Sequence, residues 1–202
     1  MLRPAIILSA LLLPSIAFAE CPTQADLSQG INLTYDTPDT EIYYTGRGNS
    51  IINEGSDNAP DSAVNWTVTL ASGVFEIYIY ERVEGLWNPT SAFSLDYDFD
   101  YLAAFPLAAG DVGGGVQTLT TENGEPEPAT YSYSVHAVED IVIGDCSYAA
   151  LDIYQTYLLE GGIYGLTRMV YLKDIGFGYI VDTFWSDSEA TTRVATGISV
   201  DG

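Results

Sequence analysis

Three carboxylates at alternate positions, in Asp96-Tyr97-Asp98-Phe99-Asp100-Tyr101, are the densest set of hard metal ligands in the sequence. Acidic oxygens at this density suit calcium. An EF-hand loop needs glycine at its sixth position and a bidentate glutamate at its twelfth. Counted from Asp96, those positions hold Tyr101 and Leu107. On an extended strand, side chains two residues apart are separated by about 7 Å, too far to share one ion readily. The pattern predicts a strand with Leu95, Tyr97, Phe99 and Tyr101 inward and Asp96, Asp98 and Asp100 outward, a loose surface calcium site being the weaker alternative. Neither a metal nor a cofactor is expected.

His136 is the single histidine, in a run that places Ser132, Ser134 and Val138 on the same face. As the base of a hydrolytic triad it would need a serine nucleophile and an acid such as Glu139 or Asp140 to orient it. No G-x-S-x-G elbow presents a serine, so a histidine on a strand surface is the expectation. Paired carboxylates 5–10 Å apart would serve a glycosidase, and 28 acidic residues leave that chemistry open without selecting a pair. Tyr78, Tyr80, Trp87 and Trp185 are the candidate ligand-binding residues, since aromatic rings near strand ends can stack on sugars or apolar ligands. Ordinary cross-strand packing is their competing role.

Cys21 and Cys146 are the only cysteines. An even count in an oxidising compartment predicts one disulfide; a zinc or redox role lacks C-x-x-C spacing and further soft ligands. The bond would close a long loop and fasten the start of the domain to its middle. Export is predicted by the first residues: a short positive start at Arg3, an apolar run from Ala5 to Ile16, and Ala17-Phe18-Ala19, a small-x-small cleavage pattern. That run falls short of a membrane-spanning helix. Glu20 precedes Cys21 where a lipoprotein would carry a small residue. Residues 1–19 are therefore expected to be a cleaved signal peptide and 20–202 a single β-rich domain, periplasmic or secreted.

The chain has 202 residues and a formal charge of −22, which becomes one unit more negative when Arg3 is removed. At 47% hydrophobic and 12% aromatic residues it is too apolar for a disordered acidic tail. The charge excludes nucleic acid and anionic membrane surfaces as partners.

Beyond a short helix opened by Thr23 and Asp26 and closed by Gly30, the periodicity is that of strands. Phe75, Ile77, Ile79 and Val83 alternate with Glu76, Tyr78, Tyr80 and Arg82, which predicts a half-buried antiparallel strand with the glutamate and tyrosines on the wetter face. Ala71-Ser72-Gly73 joins it to the alternating run 65–70 as a hairpin. Further runs at 31–35, 41–45, 92–102, 116–121, 130–138, 148–159, 163–172, 178–184 and 192–200 bring the expectation to ten to twelve strands. Gly110 to Gly115 reads as a loop. The fold class is all-β, an antiparallel meander forming a curved sheet, partial barrel or sandwich. An outer-membrane barrel fits less well, because acids fall on both faces of several strands.

From Phe105-Pro106-Leu107-Ala108-Ala109-Gly110-Asp111, through Gly144-Asp145-Cys146-Ser147-Tyr148, to Tyr171-Leu172-Lys173-Asp174-Ile175-Gly176, the order of turns and strands resembles β-rich bacterial periplasmic and lipoprotein-type modules. The resemblance spans about 105–185. It implies a non-catalytic extracytoplasmic module with a curved sheet like that of lipoprotein carriers, whose concave face takes an apolar ligand; it implies no catalytic residues. The expected function is an exported binding or carrier module of the cell envelope, its ligand or protein partner unknown. The alternatives are a glycan-acting hydrolase using paired carboxylates, or a structural protein without a small ligand.

Overall fold

The computed structural model describes residues 21–36, 41–47, 50–56, 64–83, 86–121 and 124–200. The predicted signal peptide lies outside them, as do parts of the predicted turns at 46–49 and 123–124. Sixteen strands are present among the described residues: β1 (Ile31–Tyr35), β2 (Glu41–Arg47), β3 (Ser50–Ser56), β4 (Val64–Ala71), β5 (Phe75–Val83), β6 (Leu86–Trp87), β7 (Phe93–Tyr97), β8 (Val112–Thr121), β9 (Glu127–Ala137), β10 (Ile141–Ile143), β11 (Cys146–Tyr148), β12 (Ala150–Leu159), β13 (Tyr164–Leu172), β14 (Phe177–Trp185), β15 (Thr191–Thr192) and β16 (Ala195–Val200). Fourteen form one antiparallel sheet in the order β15-β14-β13-β12-β9-β8-β7-β5-β4-β3-β2-β1-β16, with β6 on β5; β10 and β11 form a separate hairpin. The fold is all-β, a large curved open sheet rather than a closed barrel.

The expected N-terminal helix is a single 3-10 turn, Gln24–Ser28. Asp26 reaches back to accept from the Thr23 amide and hydroxyl at 2.8 and 2.9 Å, satisfying the start of the turn. Leu27 is the one residue of the turn that is buried, so there is little apolar face to extend it. The strand expected across 92–102 stops at Tyr97. Beyond it Asp98 accepts from the Val116 amide, and Asp100 caps a second 3-10 turn, Tyr101–Ala104. Of the glycines expected in a loop, Gly110 lies in the turn before β8, while Gly113, Gly114 and Gly115 are inside the strand. The Tyr133 ring lies over Gly113, and Asp98 and Phe99 lie over Gly115, where a Cβ would collide at 2.5 Å and 2.1 Å. Strand backbone there is covered by neighbouring side chains, a use of glycine that periodicity does not register.

The hairpin at Ser72-Gly73 forms as expected, with both residues in the left-handed region (φ 49° and 74°). Its tip packs on β14, whose Gly178 amide donates to Gly73 carbonyl oxygen at 2.7 Å. Contact is this close because Gly73 has no room for a side chain against Gly176 and Phe177.

Two clusters make up the core. One gathers Ile31, Leu33, Ile42 and Tyr44 of β1 and β2 against Val170, Leu172, Phe177 and Tyr179 of β13 and β14, with Tyr44 stacked on Phe177 at 3.9 Å. In the other, Phe75 is ringed by Tyr97, Phe99, Tyr101, Phe105, Tyr131 and Tyr133 at 5.3–6.4 Å. Fully burying such rings is worth roughly 1.5–3 kcal/mol each.

The last segment ties the two edges of the sheet together. β15 pairs with β14, and β16, only two residues later, pairs with β1. Between them Arg193 donates its amide to Val181, and Val194 exchanges backbone-directed bonds with Asp36. On the β14 side, Arg168 holds both Asp152 and Asp182, and Asp182 also accepts from Thr192. A disulfide joins Cys21 to Cys146, with Cα atoms 5.6 Å apart and a separation of 125 positions in sequence. It fastens the N-terminal turn to the β10–β11 hairpin.

Candidate functional site

Curvature of the sheet leaves a cavity of about 350 Å³ on its concave side. Seven successive strands of the sheet line it: β5, β7, β8, β9, β12, β13 and β14. The wall is mainly apolar, with Ile79, Phe93, Leu95, Leu119, Leu159 and Ile180. Alternation places these residues: the cross-strand pairs Ile79–Phe93 and Leu95–Leu119 share the concave face. Among the lining residues only Glu127 is exposed, which marks the open side.

Tyr157 and Trp185 stack at 5.8 Å in this wall although their strands are separated by β13. They meet because the residue between them, paired with both, is Gly165. The Trp185 ring occupies the space of the missing side chain, its nearest carbon 2.5 Å from where a Cβ would stand.

Glu76 is the polar group that sequence alternation misplaced. A β-bulge shifts the β4–β5 register so that Thr69 pairs with Tyr78 but Leu70 with Glu76, leaving Ile77 without a partner. Paired residues share a face, and Leu70 is 1% exposed; Glu76 therefore turns inward, away from Tyr78 and Tyr80. A bulge commonly re-aims a side chain in this way. Glu76 and Ile180 line both the main cavity and a smaller one of about 200 Å³, which also touches Tyr44, Trp66, Met169 and Arg193. The surface Glu76 retains faces these spaces, and burial pushes its carboxyl up to about 7.

No hydrogen bond or ion pair satisfies that carboxyl among the described residues, while Gln117, Tyr97 and Tyr157 near it are bonded to other protein groups. Gln117 donates to Tyr97 Oη at 2.8 Å, and Tyr97 donates to the Glu76 backbone carbonyl at 3.0 Å. Tyr157 donates to Gln155 at 3.1 Å, and Gln155 to the Val74 carbonyl. Burial, then the nearby Tyr157, Tyr97 and Glu76, holds the Tyr131 hydroxyl well above its ordinary pKa, and that hydroxyl is buried with no partner among the described residues.

No family model matches this chain, and no curated protein or solved structure compared with it is similar.

The sequence-derived candidates fall in different places. Trp185 lines the cavity. Tyr78 and Trp87 share a shallow hollow with Phe93 and Thr121 at the β5–β8 side, and Trp87 is 55% exposed. Tyr80 lies beside Tyr78 at 5.8 Å, under the Arg82 guanidinium at 5.7 Å. Asp96 is exposed, and Asp98 and Asp100 each direct an oxygen to backbone amides. No group of three or more metal-ligating side chains occurs among the described residues. His136 is exposed on β9, bonded to Ser134 at 3.0 Å and edge-on to Tyr154. The Asp152 carboxylate across from it is held by Arg168. Glu76 in the lining, and the Gly165 that seats Trp185, had no signal in the alternation. The bulge that turns Glu76 follows from pairing with β4, and Gly165 gains meaning only from its two cross-strand partners.

Proposed function

We propose that the protein is an exported, non-catalytic binding or carrier module of the cell envelope, holding a small apolar ligand inside its curved sheet. The cavity wrapped by seven strands carries this reading. Its volume is at the lower end of small-molecule sites, and its lining is the usual combination of apolar walls with a few polar groups. Export is supported by the Cys21–Cys146 disulfide, a bond that persists in oxidising compartments, and by the secretion signature of residues 1–19. Among the described residues no helix is long and apolar enough to cross a membrane.

The hydrolase alternative has one observation in its favour. Glu76 and Glu127 line the same cavity as Tyr157 and Trp185, and a carboxyl near 7 is in the range of a general acid. Sugar hydroxyls, however, need many donors and acceptors, and Gln117 and Tyr157 are already engaged by protein groups. The apolar wall favours the carrier.

Titration with the apolar dye N-phenyl-1-naphthylamine tests the proposal. The full chain should show saturable one-to-one fluorescence enhancement. Ala129→Trp, which places an indole in the cavity, should lower affinity at least about tenfold while keeping the native circular dichroism spectrum. Unchanged dye binding in that variant would remove the cavity as the binding site.

A further inference from the structure

We propose that the cavity selects a hydrophobic amine, whose ammonium group pairs with the Glu76 carboxylate while its hydrocarbon part lies against the apolar wall. This rests on the reading of the cavity as a ligand site and names the class of ligand it takes.

The first observation is charge. Among the described residues, the two ionisable acids lining the main cavity are the half-buried Glu76 and the exposed Glu127, and no basic residue lines it. A carboxylate ligand would bring a third negative group into low-dielectric surroundings, where like charges repel strongly. An ammonium meets the opposite situation. The second observation is the unmet bonding capacity of Glu76. Its carboxyl has no donor among the described residues, and Gln117, which lines the cavity with it, is bonded to Tyr97, whose hydroxyl donates to the Glu76 backbone carbonyl. A buried carboxylate without a donor is costly, so a ligand that donates to it gains more than the same bond would give in water. The third observation is the aromatic wall: Phe93, Tyr157 and Trp185 line the cavity, and aromatic rings attract cations as well as hydrocarbon.

Among the described residues Arg193 is the one cation lining the adjoining smaller cavity, and it forms no ion pair with Glu76. The other titratable groups around Glu76 are Tyr97, Tyr131 and Tyr157, all held protonated by burial. None of them supplies a positive charge.

Octylamine, octanol and octanoate share one hydrocarbon chain and separate head-group recognition from apolar binding. Calorimetric titration of the full chain at pH 8 and about 0.15 M salt, where exposed charges are screened beyond about 8 Å, is the experiment. At that pH Glu76 is mostly ionised. Octylamine should bind one-to-one and about ten- to a hundredfold tighter than octanol, the range of a charge-assisted hydrogen bond, with octanoate weakest. Glu76→Gln should abolish that preference while octanol affinity stays within about threefold. Glu139→Gln, an exposed residue away from the cavity, makes the same change in net charge and should keep the preference. Equal affinity for octylamine and octanol in the wild type, or a preference that survives Glu76→Gln, would overturn the amine inference while leaving the cavity reading in place. No saturable binding of octanol would defeat both.

Discussion

Glu76 is the carboxyl that burial carries toward neutral pH, and its titration is linked to stability. Burial raises its pKa from 4.5 to about 7. Between those values the folded protein binds a proton that the unfolded chain has released, so stability falls as pH rises through the interval. Below about 4.5 the cost is absent; above about 7 it is complete and amounts to roughly 3 kcal/mol at most. Glu76→Gln removes this titration. In urea unfolding from pH 5 to pH 8, the stability of the variant relative to wild type should rise with pH by about that amount. Parallel pH dependences for the two proteins would show that Glu76 titrates normally. Binding of a cation beside the carboxylate opposes the same penalty, which links the stability of this residue to occupancy of the cavity.

At the scale of strands, the cavity depends on where alternation is broken or left empty. Gly165 in β13 permits Tyr157 and Trp185 to stack across it. Gly165→Val should push the indole out of the wall, cost roughly 1–3 kcal/mol as an overpacked site, and red-shift the emission of Trp185 measured with Trp66 and Trp87 replaced by Phe. Unshifted emission would mean that the glycine is incidental. The same strands show what could be read in advance. Alternation located β1, β4, β5, β9, β12, β13 and β14 closely; one face is buried and the other wetter in β1 and β9, whereas both faces are covered at the starts of β12 and β14. It missed β3, where the side chains run Ser-Ile-Ile-Asn-Glu-Gly-Ser without a regular period, and the short β6 and β10. It placed Glu76 on the wrong face because a bulge is a property of two paired strands. Gly113 and Gly115 were taken for loop residues because the rings and carboxylate that cover them come from distant segments. The disulfide was legible, since a chain with two cysteines offers one pairing. The candidate site was legible only at Trp185.

Across the whole molecule, an open sheet is made to enclose space. Segment 191–200 touches both edges of the sheet, the Ser72-Gly73 tip bonds to β14, and the disulfide closes a loop of more than a hundred residues, for which chain-entropy models allow about 4–5 kcal/mol. The formal charge of −22 is spread along the sequence and does not gather into a metal loop among the described residues. It keeps like molecules apart, while Glu76 alone brings an unsatisfied acid to the junction of the two interior cavities. The central claim is that the space so enclosed is a ligand site. Its most direct test is quenching of Trp185, as the single tryptophan after Trp66→Phe and Trp87→Phe, by a brominated octanol. Saturable, one-to-one quenching that octanol competes away is the predicted result. Linear, collisional quenching with no saturation and no competition would contradict it.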